Sequence, residues 1–219
     1  SHADKLAQFA QGKPGRGTPT HMHNAMISPL LPYAIKGAIW YQGESNNGEG
    51  MLYHEKMKAL IAGWRSVWNK PDLPFYFVQL APYKYRGDPK ALPGIWQAQL
   101  ETLKVPHTGM AVTTDITTLT NIHPPNKQDV GKRLAQWAFA KTYELDVVPS
   151  GPLYEKMEVE NGKARIHFSH IGKGLIIGKK DGLKPTEEIV IDAKLERFAI
   201  AGKDKLWVWG NAVIDGDTI

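Results

Sequence analysis

The sequence predicts an α/β fold, in which a parallel β-sheet covered by helices on both faces is followed by a smaller β-rich module. Within residues 35–150, short apolar runs alternate three times with segments of helical periodicity, a pattern typical of parallel sheets. After residues 149–152 (PSGP), the chain changes to short β-type segments separated by turns. We therefore expect two domains, residues 1–150 and 151–219.

The first domain is predicted to contain three strands, each a short apolar run: residues 35–41, 75–80 and 109–114. A helix is predicted between the first two strands, from Met51 until Pro71 stops it. Its apolar residues recur at intervals of three and four positions, which places them on one face: Tyr53, Met57, Leu60, Ile61, Trp64, Val67 and Trp68.

Two further helices complete this predicted alternation. One covers residues 95–103 and ends before Pro106. The other begins after Asn126, a typical N-cap residue, with Asp129 three positions later in an approximate capping box. One face of this last helix carries Val130, Leu134, Trp137, Ala138 and Lys141.

The second domain is predicted to be all-β, with strands at residues 165–168, 174–178, 198–202 and 206–209. Turn signals separate them at residues 158–162, 171–172, 180–182 and 215–217. We expect this module to be truncated, because residues 212–219 (AVIDGDTI) stop where another strand should begin.

The composition excludes several mechanisms. The 219 residues include no cysteine, so thiolate zinc sites and cysteine nucleophiles are ruled out. His21 and His23 lack nearby carboxylates, and we predict no metal site. The net charge of +5 arises from scattered residues, which does not favour a nucleic-acid partner. No apolar run approaches the ~20 residues that span a membrane.

Polar side chains follow the first and third predicted strands. Residues 42–47 (QGESNN) come directly after the first strand, and Asp115 and His123 follow the third. The carboxyl ends of parallel strands lie at one edge of a sheet and form its ligand site. The two loops are therefore expected to face each other.

A histidine and an amide side chain in these loops favour acyl-transfer chemistry. His123 is a candidate general base, and Gln42 is a candidate hydrogen-bond donor to an oxyanion. The alternative is that His123 is a loop histidine fixed by the two prolines that follow it, and that residues 42–47 form an ordinary polar turn.

The residues around these loops also carry a family resemblance. The blocks WYQGESN (40–46) and IHPPNK (122–127), with the flanking segments 24–39, 63–68, 72–83 and 128–135, resemble the sialate O-acetylesterase family of carbohydrate esterases. This family belongs to the SGNH hydrolases. Residues 150–159 and 197–219 are similar to the β-rich portion that follows the catalytic domain in such proteins.

The resemblance implies a three-layer, flavodoxin-like SGNH domain that removes acetyl groups from O-acetylated carbohydrates through a serine acyl-enzyme. It implies no cofactor and a periplasmic or secreted location. His123 matches the family's catalytic histidine, and Gln42 and Gly43 match its oxyanion block. Glu44, in the same block, either orients His123 or holds the loop together.

The sequence departs from the family pattern in two respects. The nucleophile block Gly-Gln-Ser-Asn is absent, and of the serines only Ser45 follows a strand-to-helix turn, inside the oxyanion block. We therefore expect an internal fragment that lacks the first strand and is inactive on its own. The acid position of the family motif is occupied by Thr120, which leaves Asp115, Glu44 or a backbone carbonyl to orient His123.

Three residues are predicted to contact the substrate: Tyr83 and Tyr85, in the loop after the second strand, and Asn46. Two other functions fit parts of the sequence. A noncatalytic carbohydrate-binding relative would keep this fold without the nucleophile. A nucleotide-binding protein has only the fold class in its favour.

Overall fold

A three-stranded parallel sheet forms the centre of the protein. A computed structural model describes residues 4, 7, 18, 20–85, 87–88, 90–191 and 193–219. The strands are β1 (Ala38–Trp40), β2 (Phe75–Val78) and β3 (Thr108–Ala111), in the sheet order β1-β2-β3. Both pairings are parallel. The predicted α/β class is confirmed.

Helices cover both faces of this sheet. They are α1 (Leu52–Val67), α2 (Ala91–Thr102) and α3 (Lys127–Lys141). Side chains alternate between the faces of a strand, so Phe77 of β2 packs among α1 and α2, whereas Val78 packs against α3. The result is a three-layer arrangement. No helix in the described part of the chain is long and apolar enough to cross a membrane.

The helix boundaries follow the sequence signals closely at α1 and α3. Asn126 caps α3 as predicted, and its side chain accepts the Asp129 N–H at 3.1 Å. The predicted start of α2 at Ile95 is wrong, since this helix begins at Ala91. Its first turn includes Pro93, where a missing N–H costs nothing because no intrahelical partner exists there.

Helix α3 packs closely against β3 through a glycine. A Cβ atom at Gly109 would lie only 2.4 Å from Cδ2 of Trp137, so the absence of a side chain lets the indole lie directly on the strand. The Trp137 indole N–H also donates to the Met110 carbonyl at 3.0 Å. These contacts fix α3, and with it the loop that precedes the helix.

The β-rich segment, residues 151–219, forms three antiparallel pairs. β4 (Leu153–Glu160) pairs with β5 (Lys163–Ser169) through a turn in which Asn161 and Gly162 have φ of 49° and 75°, as a type I′ hairpin turn requires. The other pairs are β6 (Gly178–Lys179) with β7 (Glu187–Glu188), and β8 (Ala199–Ala201) with β9 (Trp207–Trp209).

The predicted β-rich character is confirmed, but two details differ. Strand β4 was not predicted, and of the predicted strand 174–178 only Gly178 is in a strand. The domain boundary near residue 150 stays a prediction.

Candidate active site

Three loops leave the carboxyl ends of the parallel strands. We call them the Gln42 loop (residues 41–47, after β1), the tyrosine loop (residues 81–85, after β2) and the His123 loop (residues 113–125, after β3). The Lys84 N–H donates to the Leu119 carbonyl at 3.0 Å, which joins the tyrosine and His123 loops. The Lys127 ammonium lies 4.4 Å from the centre of the Tyr41 ring, which joins the start of α3 to the Gln42 loop.

The Gln42 loop is closed by its own polar groups. Residues 44–46 form a 3₁₀ turn, and one N–H of the Gln42 side-chain amide donates to Asn46 Oδ1 at 2.8 Å. The amide nitrogen carries two N–H groups. Within the described residues, the Gln42 amide nitrogen has no second partner, so one N–H remains to donate elsewhere.

Gly43 and Glu44 interact with each other in this loop. Glu44 Oε2 accepts the Gly43 N–H at 3.1 Å. Gly43 is buried, and a Cβ there would lie 3.4 Å from Tyr53 Oη and 3.6 Å from Leu80 Cδ1. Tyr53 Oη in turn donates to the Gln42 carbonyl at 2.7 Å, and burial raises the pKa of Tyr53 to about 12. Tyr53 thus anchors the Gln42 loop to α1.

His123 lies in a tightly shaped turn with its ring exposed. The His123 N–H donates to Asn121 Oδ1 at 2.9 Å, and the next residue, Pro124, is fully buried. In the described part of the chain, no side chain forms a hydrogen bond with the His123 imidazole. Both ring nitrogens are therefore open to a substrate or a nucleophile.

Asp115 is held by an arginine of α3. Its two carboxylate oxygens accept from Arg133 Nη1 and Nη2, each at 2.6 Å, and Nη1 also donates to the Val112 carbonyl. Burial opposes ionisation of Asp115, but Arg133 outweighs it and lowers the pKa of this carboxyl. The structure therefore pairs Asp115 with Arg133, and Glu44 with Gly43, rather than either with His123.

The tyrosine loop borders the Gln42 loop. Tyr83 and Tyr85 pack edge to face, with ring centres 5.1 Å apart. Burial, with smaller contributions from the nearby Glu44 and Tyr41, raises the pKa of Tyr85 to about 12. The Tyr85 hydroxyl is buried and has no hydrogen-bond partner within the described residues. A buried polar group usually has a hydrogen-bond partner, so this hydroxyl is an exception among the described residues.

No described serine forms a hydrogen bond with His123. Ser45 is exposed in the middle of the 3₁₀ turn, and Ser1 lies outside the described residues. Ser150 lies 2.8 Å from Nδ1 of His170, in the segment that follows α3. Within the described ranges, no group of three or more histidine, aspartate or glutamate side chains is placed to hold a metal ion.

Sequence reasoning missed three residues that assemble this site: Lys84, Lys127 and Arg133. Lys127 lies within the IHPPNK block, so its position there was a usable signal. Arg133 contacts Asp115 across a gap of 18 positions, and Lys84 bonds through its backbone. Neither contact has a local sequence signature.

Comparison with known proteins identifies the family of the chain. The sequence model of the family described as carbohydrate esterase, sialic acid-specific acetylesterase, matches residues 5–140. The chain belongs to this family. The family predicted from the WYQGESN and IHPPNK blocks is confirmed.

Individual carbohydrate esterases match over part of their length. Sialate O-acetylesterase of Rattus norvegicus is 36% identical over 174 residues, which are 69% of this chain and 32% of the relative. The Homo sapiens enzyme of the same name is 34% identical over 178 residues, 72% of this chain and 34% of the relative. The chain thus spans about a third of the curated esterases that it matches.

A solved carbohydrate acetylesterase from Xanthomonas citri has the same fold. Its crystal structure aligns with a TM-score of 0.77 and 34% sequence identity, over 96% of this chain and 47% of the other. The alignment includes the parallel sheet and the β-rich segment, so the fold class expected from the resemblance is confirmed for nearly the whole chain.

Proposed function

We propose that these residues form the histidine and oxyanion-binding part of an esterase that hydrolyses acetyl esters on sugars, with sialic acid and xylan decorations as candidate substrates. One observation carries the proposal: in a chain of the carbohydrate esterase family, the structure holds the Gln42 and His123 loops at one edge of the sheet. That edge is where ligands bind to open parallel sheets.

His123 is the proposed general base. A serine hydroxyl gives its proton to the imidazole while its oxygen bonds to the acetyl carbonyl carbon. The imidazolium then protonates the departing sugar oxygen, which leaves an acetyl-enzyme. In the second half of the reaction, His123 takes a proton from water, and the resulting hydroxide attacks the acetyl carbonyl carbon. Acetate leaves, and the imidazolium returns the proton to the serine oxygen. The ring of His123 is exposed and has no hydrogen-bond partner among the described residues, which supports this exchange.

Gln42 is the proposed donor to the tetrahedral oxyanion. Its hydrogen bond to Asn46 fixes the amide plane and leaves one N–H free. A fixed donor stabilises negative charge without reorganising during the reaction. The Gly43 N–H, by contrast, is occupied by Glu44, which supports a loop-holding role for Glu44. The contacts of Asp115 likewise support a role in anchoring the His123 loop to α3 through Arg133.

The serine nucleophile is proposed to come from sequence outside the 219 residues. The Gly-Gln-Ser-Asn block of the family is absent here, and the described serines do not bond to His123. Ser45 is an unsuitable nucleophile because it lies in the same turn as the proposed oxyanion donor. This turn is closed by the hydrogen bond between Gln42 and Asn46.

Hydrolysis of p-nitrophenyl acetate and of O-acetylated sialic acid tests this proposal. The comparison is between the 219-residue chain and a longer natural chain that carries these residues after a Gly-Gln-Ser-Asn block. We expect acetate release from the longer chain only, and its loss when the serine of that block becomes alanine. Sugar binding without acetate release by the longer chain would instead identify a noncatalytic relative.

Tyr83, Tyr85 and Asn46 are proposed to line the substrate site. The position of Tyr85 near Glu44 and Tyr41 of the Gln42 loop supports this placement. We expect Tyr85→Ala in the longer chain to raise KM about 3- to 10-fold, because the sugar loses an aromatic contact. Steady-state kinetics with an acetylated sugar measures the change. Tyr143→Ala, at an exposed tyrosine after α3, is the control, and an unchanged KM for Tyr85→Ala contradicts the assignment.

A further inference from the structure

We propose that Lys180, in the β-rich segment, is a positioning residue for the His123 loop, because its ammonium group holds the first turn of α3. The catalytic meaning of this inference rests on the proposed function. The positioning itself is a property of the fold and can be measured without activity. The β-rich segment is then part of the catalytic framework rather than an attached module.

Lys180 forms the most buried ion pair in the described part of the chain. Its Nζ lies 2.7 Å from Asp129 Oδ2, and the two side chains are only 9% and 11% exposed. Every other ion pair between described residues has at least one partner that is 44% exposed or more. Exposed pairs contribute little to stability, whereas a buried charge that loses its partner is strongly unfavourable.

The turn at residues 180–184 holds two residues at the start of α3, Asn126 and Asp129. Asn126 Nδ2 donates to Asp129 Oδ2 at 2.7 Å and to the Gly182 carbonyl at 3.2 Å. The Lys180 ammonium also donates to the Lys184 carbonyl, which closes the turn on itself. Hydrogen bonds from Lys180 and then Asn126 lower the pKa of Asp129 to about 2. Asp129 therefore stays ionised, and the network stays intact, throughout the neutral pH range.

The contacts among Lys180, Asp129 and Asn126 lie close to His123 in the sequence. Only Pro124 and Pro125 separate His123 from Asn126, and Pro124 is fully buried. Proline fixes φ, so the short segment between the cap of α3 and His123 has little freedom. Lys180 also adds a smaller favourable contribution to the ionisation of Asp115, after the larger effects of burial and Arg133. Its charge thus acts on both ends of the His123 loop.

Removing the Lys180 charge tests the positioning role. In the longer chain, we expect Lys180→Met to lower kcat by about 10- to 100-fold with KM nearly unchanged, because a small displacement of a catalytic group has that effect. Lys180→Arg should restore most of kcat. Lys184→Met is the matched control and should leave kcat unchanged. Lys184 belongs to the same turn, but its side chain is exposed and forms its ion pair, among the described residues, with Asp181 alone.

A second measurement separates this inference from the proposed function. In the 219-residue chain, Lys180→Met should accelerate hydrogen exchange at the amides of His123 and residues 126–130, whereas Lys184→Met should not. If Lys180→Met does not fold, Lys180→Gln, which keeps a donor without the charge, replaces it. Unchanged exchange, or unchanged kcat in an active longer chain, overturns the positioning role. If exchange is faster in Lys180→Met but the unmodified longer chain is inactive, the positioning role is supported and only the proposed function is overturned.

Discussion

Replacement of His123 by alanine in the longer chain is expected to lower kcat for acetyl-ester hydrolysis by about 10⁴-fold, with little change in KM. In the proposed mechanism the imidazole serves twice, first as the acceptor of the serine proton and then as the acceptor of a proton from water. No described residue near the ring can replace it, because Asp115 is paired with Arg133 and Glu44 with the Gly43 N–H.

Initial-rate kinetics and chemical rescue check this expectation. Imidazole added to the His123→Ala variant should restore part of the activity, because the small base can occupy the vacated space. His21→Ala is a suitable control, since His21 is an exposed histidine near the start of the described chain. Retention of a tenth or more of kcat by His123→Ala would show that another group is the base.

The second large effect is expected for Gln42→Ala, which should lower kcat about 10²- to 10³-fold and change KM by less than a factor of about three. The loss should fall on kcat because, in the proposed mechanism, the Gln42 amide donates to charge that develops only in the transition state. The bond from Gln42 to Asn46 keeps that N–H in place.

Ser45→Ala is the matched control for Gln42→Ala. Ser45 lies in the same turn, is exposed, and has no hydrogen-bond partner among the described residues. Its replacement should leave kcat unchanged, which would also remove Ser45 as a nucleophile. A Gln42→Ala variant whose loss lies wholly in KM would indicate ground-state binding of the sugar instead of oxyanion stabilisation.

The features that the sequence predicts well depend on local chemistry. The apolar face of α1 follows from residue spacing, and the start of α3 follows from Asn126 and Asp129, which interact as a cap requires. The order of strands and helices follows from their alternation. These signals are contained within a few turns of chain, so one sequence is enough to recognise them.

The features that the sequence does not predict depend on distant partners. Strand β4 contains Glu155, Lys156 and Glu158, and it is a strand because β5 supplies its hydrogen bonds. Residues 174–177 are apolar in part, yet they lack a paired strand, and Gly174 has a φ of 116°. The contact between Lys180 and Asp129 could not be predicted for the same reason. It joins two distant segments of the chain, and no sequence pattern relates them.

The order of the strands has a consequence for how the chain assembles. β1, β2 and β3 are neighbours in the sheet in the order in which they occur in the sequence, so each new strand pairs with the strand made just before it. Each pairing needs the intervening crossover to be made first, because parallel strands cannot be joined by a tight turn. Asp129 precedes Lys180 in the chain, so the ion pair between them can form only after the chain has been made as far as the β-rich segment that contains Lys180.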